Sequence, residues 1–294
     1  MKKLFIYGLL LPLFLMCKPN TSSVTIDQTY AETLDNERKE RDQRRKKYLE
    51  LCGLFKLNPE GTFFGINAQQ QVTTKPEEIK QHIGKFKWND TAFDFETFNE
   101  IQVTDSVDAQ IQSKVLVLNA IGDSELLFYN NFKWRIITRS GALYLRVWDK
   151  KNPALKTFKG FEIFEPNAAF ILDADFKYFE TSKSELVASK LGIDDVAKFI
   201  GSVHFYFEGE AYTLDVGQNG WIMVGDATSG DLTYGGGRYM YVDLPEANGK
   251  VQLDFNYLYN PPCSFSEYTT CLFPPRQNRL PFPIEAGELL AHKK

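Results

Sequence analysis

From Gly53 onward the sequence gives up helical periodicity. Apolar and polar residues alternate, and turn-forming residues arrive every ten or so positions. Period-two patterning buries one face of each strand, so the fold is restricted to a large, mostly antiparallel β meander, closed as a barrel or stacked as a sandwich. The 14% aromatic content, with 24 Phe and 14 Tyr, fits that restriction, because flat rings pack well on pleated surfaces. Strands are predicted at 62–66, 91–98, 101–104, 114–119, 125–129, 133–138 and 142–148, then at 202–207, 211–216, 221–224, 238–243 and 251–255. Asn130-Asn131 and Ser140-Gly141 have hairpin-turn composition, since Asn and Gly tolerate positive φ. In 202–207, Val203, Phe205 and Phe207 alternate with Ser202, His204 and Tyr206, which makes His204 a rim residue without any catalytic role. Residues 184–200 are ambiguous: Leu186, Val187, Leu191, Val196 and Ile200 suit a helix, whereas Gly192-Ile-Asp-Asp195 suits a turn between strands. A chain of 294 residues with 43% hydrophobic content can bury a substantial core, and one β domain over 54–290 is expected.

Ahead of that domain, Thr29-Tyr-Ala-Glu32 has capping-box form. The run to Leu51 contains neither Pro nor Gly, so a helix near 30–51, within an N-terminal segment 29–53, is expected to end at Gly53. Its apolar residues sit at the ends and charge fills the middle from Asp35 to Lys47, which predicts that its first half projects into solvent. Further upstream, Met1-Lys2-Lys3 precedes a 13-residue apolar run, Leu4 to Met16. This is the form of a signal peptide over 1–16 and is too short for a spanning helix. The run ends at Cys17 in the manner of a bacterial lipobox. Cys17 is therefore expected to carry a lipid, residues 17–28 to form a polar tether, and the chain to be a lipoprotein of the bacterial cell envelope, on the periplasmic or outer-membrane face.

The formal charge of −4 falls to −6 once Lys2 and Lys3 are removed with the signal peptide. Bulk electrostatics therefore exclude nucleic acid as a partner. The expected partner is the membrane, reached through the lipid; any small-molecule or protein partner is left open. In an oxidising envelope, Cys263 and Cys271 can close a small disulfide ring, the alternative being two buried thiols. Cys52 is expected to be an inert buried thiol at the helix end. Neither a CxxC pair nor a zinc-ligand spacing is present.

The most constrained stretch is C-terminal: Asp254-Phe-Asn256-Tyr-Leu-Tyr-Asn260-Pro-Pro262-Cys263, then Cys271, Pro274-Pro275, Asn278-Arg279-Leu-Pro281 and Ala286-Gly287-Glu288. Prolines fix backbone angles there, and the segment reads as a rigid loop packed over the end of the β domain. Together with Asp226-Ala-Thr-Ser-Gly230 and Thr233-Tyr234-Gly-Gly-Gly-Arg238, it resembles the domain of unknown function 1684 family. Arg139, Leu145-Arg146-Val-Trp-Asp149, Phe158-Lys-Gly160-Phe and Glu165-Pro166 extend the resemblance to about 48–290. It weakens at Cys52-Gly53-Leu54, where the family is more aromatic. The family implies no activity or cofactor, but its tendency toward strands inclines 184–200 to a β-hairpin.

Motifs for hydrolase elbows, zincins, phosphate loops, dinucleotide sites and EF-hands are absent, and three histidines supply little for metal binding or triads. No cofactor or metal is expected, and any enzyme here would work with carboxylates, Arg and Tyr. The catalytic candidates are Asp254, Asn256 and Arg238; the binding candidates are Asp226, Tyr234, Asn278 and Glu288. Asp254 and Asn256 stand two apart where a strand enters the Pro-rich loop, and can orient a substrate or cap that loop. Arg238, behind three glycines, can clamp an anion or bridge a carboxylate such as Asp254. The loop at Asp226 suits a cation or an Asx-turn, and Glu288 suits a salt bridge to Arg279 or Arg238. Two functions follow: a binding or structural lipoprotein, or a hydrolase-like enzyme using Asp254, Asn256 and Arg238. The enzyme requires those three side chains around one open pocket.

Overall fold

The computed structural model describes residues 26–98 and 100–290. The signal segment 1–16, Cys17 and most of the tether lie outside them. The chain opens with α1 (Gln28–Leu49), capped by Asp27, whose side chain accepts from the Tyr30 amide at 2.8 Å. Asp27 thus takes the role expected of Thr29. The helix gives way directly to β1 (Leu51–Lys56), so Cys52 and Gly53 are strand residues and not a helix end. Gly53 faces Val147 where the ladder slips, and a Cβ there would run into the ring of Phe55. Close packing, and not a left-handed cap, is what requires this glycine.

The first half continues with β2 (Thr62–Ile66), β3 (Val72–Thr73), β4 (Gln81–Trp88), β5 (Phe93–Thr97), β6 (Val103–Thr104), β7 (Gln110–Ile111) and β8 (Ser113–Leu116). Then come β9 (Leu127–Tyr129), β10 (Phe132–Arg139) and β11 (Ala142–Asp149). They form a six-stranded sheet, β1-β11-β10-β9-β6-β7, and a five-stranded sheet, β3-β2-β4-β5-β8. Phe64 and Phe86 of one sheet and Trp134 and Leu145 of the other share one apolar core. The arrangement is sandwich-like, with no closed barrel among the described residues. Each fully buried ring contributes roughly 1.5–3 kcal/mol of burial. Asn130, Ser140 and Gly141 have positive φ at the expected hairpin turns. Strand β4 escaped sequence reading because Gly84 interrupts its pattern; a Cβ on Gly84 would strike the ring of Phe95.

After α2 (Ala154–Thr157), a second core forms around β12 (Ile171–Ala188), β13 (Asp194–Phe207), β14 (Glu210–Gly217), β15 (Trp221–Val224), β16 (Arg238–Tyr241) and β17 (Gly249–Asp254). The sheet order is β14-β13-β12-β17, with β15-β16 as a separate ribbon. Residues 184–200 are indeed a hairpin, β12 to β13, turning through Gly192 at φ 75°. Its outer end meets the C-terminal segment, where Lys190 donates to the Cys271 carbonyl at 2.9 Å.

The Pro-rich segment packs along both edges of the β15-β16 ribbon. Tyr239 and Tyr259 exchange backbone hydrogen bonds at 2.8 Å, and Gly225 bridges to Arg279 on the other side. The first half of α1 does not project freely into solvent as its charge predicted, since Leu34 is buried and the Tyr30 hydroxyl donates to Asp254, and the second half is more buried still. Leu34, Arg41, Arg45 and Leu49 are buried, and the arginines find partners in this second half of the chain. Apolar periodicity could not register a face buried through guanidinium groups. None of the described helices is long and apolar enough to cross a membrane.

Candidate functional site

Three glycines deliver Arg238 into the interior. Gly237, at φ 79°, turns the chain so tightly against Pro274 that a Cβ would collide with that ring. Arg238 is fully buried (0% exposed) and donates to Asp226 Oδ2 at 3.0 Å, to the carbonyls of Ile284 (2.9 Å) and Glu288 (3.3 Å), and to that of Ala286. Burial draws the guanidinium pKa down, and Asp226 opposes that pull. Asp226 in turn accepts from the Thr228 amide at 2.9 Å and the Ile284 amide at 3.2 Å. The loop is an Asx-turn whose carboxylate is spent on protein donors. Arg238 therefore pairs with Asp226, not with Asp254 as expected.

The other polar candidates are also structural. Glu288 is 3% exposed and receives both a forked contact from Arg45 of α1, at 2.8 and 2.6 Å, and the Asn260 amide at 2.7 Å. Arg41 lies 3.7 Å away. The expected partners, Arg279 and Arg238, are replaced by Arg45, 243 residues upstream, and by Arg41 beyond it, out of the reach of local sequence reasoning. Asn278 accepts from the Asp215 amide (2.8 Å) and donates to the carbonyls of Asp215 and Met223 (2.9 Å each), lacing β14 to β15. Tyr234 donates to the Cys263 carbonyl at 3.3 Å.

The expected disulfide is not formed in this structure. Cys263 and Cys271 are free thiols side by side, with the Cys263 amide donating to Cys271 Sγ at 3.2 Å. The Cys263 thiol and amide favour the Cys271 thiolate and lower its pKa, while the same contact raises that of Cys263. Cys52 is half-buried, and burial pushes its thiol up to about 12.

Concavity is found elsewhere. A cleft of about 1170 Å³ runs between α1 and the face made by β15, β16, β17 and the start of the C-terminal segment. Tyr30 and Tyr48 line it from the helix, and Trp221, Tyr241, Tyr257 and Tyr259 from the opposite wall. Tyr241 and Tyr259 lie parallel, 9° between planes and 6.4 Å between centroids, and Arg41 covers the Tyr259 ring at 4.6 Å. Polar groups intersperse the rings, among them Asn36, Glu37, Arg44, Gln252 and Lys250. Asp254 reaches the cleft from the end of β17 and is 8% exposed. It accepts from the Tyr30 hydroxyl at 2.9 Å and, through Oδ1, from the Asn256 amide and side chain at 2.9 Å each. Burial raises its pKa, which Tyr30 and Asn256 partly offset; burial and the neighbouring carboxylate raise that of Tyr30.

The structure thus brings Asp254 and Asn256 together, as a loop cap, and leaves Arg238 outside the cleft. Asn256 spends its amide on Asp254 and on the Asn167 backbone. The cleft's aromatic wall went unnoticed in the sequence, although Tyr257 and Tyr259 stand in its most constrained stretch. Arg41 and Arg45 recur at helical spacing and were the available signal for the other wall.

Fold and cleft together define a mainly β protein with a helix-walled groove. Residues 156–289 match the model of the family described as protein of unknown function (DUF1684). The match takes in the second core and leaves 48–155, where the motif resemblance was weaker, outside it. A solution NMR structure of an uncharacterized protein of Haloarcula marismortui is 26% identical, the alignment covering 46% of this chain and 78% of that one with a TM-score of 0.38. No curated protein matches.

Proposed function

We propose that this chain is a non-catalytic binding protein of the bacterial cell envelope, held at the membrane by a lipid on Cys17 and taking its ligand in the cleft between α1 and the β16-β17 side. The observation that carries the reading is the fate of the polar candidates. Arg238 is enclosed by Asp226 and backbone carbonyls, while Asp254 and Asn256 satisfy one another, Tyr30 and the Asn167 backbone. The cleft of about 1170 Å³ is instead walled by aromatic rings and paired charges, a composition suited to holding a molecule and not to transforming it.

The address rests on the sequence. A basic start, an apolar run of signal length and Cys17 at its end support export and lipidation. In that compartment Cys263 and Cys271 pass their two hydrogens to a disulfide-donating oxidant and close the ring that their proximity prepares.

Dialysis of the purified chain against mixed small-molecule and oligosaccharide libraries tests the binding role. Retained molecules should be recovered chemically unchanged, and Tyr241→Ala should reduce retention; recovery of a cleaved product overturns the non-catalytic assignment. For the anchor, Cys17→Ala should abolish incorporation of labelled palmitate in cells, and persistent label refutes it.

A further inference from the structure

We infer that the cleft holds an uncharged saccharide chain. This rests on the binding role proposed above and names the ligand class. The argument begins with charge. Arg44 is paired with Glu37 at 2.7 Å and Glu40 at 3.4 Å, Arg41 with Glu37 at 3.4 Å, and Arg45 with Glu288 at 2.6 Å. A polyanion would have to displace those carboxylates from the helix wall. The face of Tyr259, the natural seat for a cationic ligand, is already covered by Arg41. The remaining lining charges, Lys47 and Lys250 against Asp243 and Asp254, balance in sign, so the cleft offers no net charge to a charged ligand.

A wholly apolar ligand is no better suited, because polar side chains break up the rings on both walls. What remains is a neutral molecule with flat C–H faces and hydroxyl edges. Sugar rings have that form. Their C–H faces stack on aromatic rings such as Tyr241, which is 57% exposed and parallel to Tyr259, while their hydroxyls bond to the paired arginines and carboxylates. Hydroxyl groups use such ion pairs without breaking them, since each can both donate and accept.

A second, independent observation points the same way. Asn260 lines the cleft at 1% exposure, and its Nδ2 donates to the Leu289 carbonyl at 2.6 Å. Its Oδ1 has no partner among the described residues. A buried acceptor without a donor is costly, and a rotation of the side chain that turns this closed-off oxygen to the cleft lets a ligand hydroxyl supply the donor. The volume, about 1170 Å³, exceeds the roughly 300–1,000 Å³ of ordinary small-molecule sites, which favours a chain over a single sugar.

The test is calorimetric titration of the full chain with cellohexaose, chitohexaose and maltohexaose, alongside polygalacturonate and a basic peptide. Tyr241→Ala probes the cleft, and Tyr206→Ala, an equally exposed ring that does not line it, is the control. At least one hexaose should bind, about five- to ten-fold more weakly in Tyr241→Ala and unchanged in Tyr206→Ala. Binding of only the polyanion or the peptide, lost in Tyr241→Ala, overturns the saccharide assignment and leaves the binding role standing. Hexaose binding weakened by Tyr206→Ala alone overturns the location. If no probe binds and the library screen is also empty, both the ligand class and the binding role fall.

Discussion

The two cores of this chain are stabilised by different means. Around Trp134, Phe64, Phe86, Phe93 and Phe95 the first is almost wholly apolar, and its strands alternate as half-buried strands should. Around Arg238 the second buries Asp226, Thr228, Asn256, Asn260, Asn278 and Glu288 as well as its aliphatic residues. The first resists unfolding through packing, where cost scales with volume removed. The second adds a polar network, in which removing one member strands its partners. Only the second lies within the DUF1684 match and faces the cleft.

Two substitutions break that comparison apart with the largest effects. Arg238→Ala removes four hydrogen bonds and leaves Asp226 charged in a dry interior, and is expected to cost about 3–5 kcal/mol. Trp134→Ala should cost a similar 3–5 kcal/mol or so through a cavity. Their origins separate in a second round. Asp226→Asn added to Arg238→Ala should recover stability, since no charge is then stranded, whereas no neutral exchange near Trp134 refills the void. Urea denaturation of the natural chain, Trp134→Ala, Arg238→Ala, Asp226→Asn and the double variant decides it, and full additivity in the Arg238 pair would count against a coupled network.

Next in size is the joint between α1 and the second core. Arg45→Met keeps a buried apolar stem but withdraws the guanidinium from the Phe161 face and its Nη2 bonds from both Glu288 oxygens, for an expected loss of about 1.5–3 kcal/mol. The released helix should also become the first segment cut by trypsin. Adding Glu288→Gln ought to restore part of the loss. A stability change under about 0.5 kcal/mol would mean the pair behaves as a surface bridge despite its burial.

The same contrast explains what the sequence could and could not disclose. In the first core, apolar alternation marked β2 at its observed limits and came within a residue of those of β10 and β11, because packing there follows period two. It missed β4, where Gly84 exists to admit the Phe95 ring from another strand. In the second core the candidate residues were legible as a set, since Arg, Asn and Asp in a Pro-rich segment are unusual. Their pairings were not. Glu288 bonds an arginine in α1, and Arg238 bonds Asp226, and neither choice leaves any trace in local spacing. The cleft was hidden for the same reason: one wall comes from residues 30–48 and the other from 221–265.

The smallest expected effect bears on the cleft itself and is read through pH. Burial holds the pKa of Asp254 above its unfolded value, so within the window between the two values the folded state binds more protons than the unfolded. Stability must then fall as pH rises from the ordinary carboxylate range to the raised value, and level off beyond it. In Asp254→Asn the side-chain oxygen still accepts from Asn256, and the hydroxyl of Tyr30 can turn to accept in place of donating, so the fold should persist. The variant should therefore gain on the natural chain as pH climbs through the window and hold that gain at neutrality. Denaturation midpoints measured every half unit from strongly acid to neutral pH provide the comparison. A difference that is flat, or that favours the natural chain at the upper end, would mean that Tyr30 and Asn256 stabilise the Asp254 carboxylate more than burial penalises it, and the cleft would then carry a committed anion at its base.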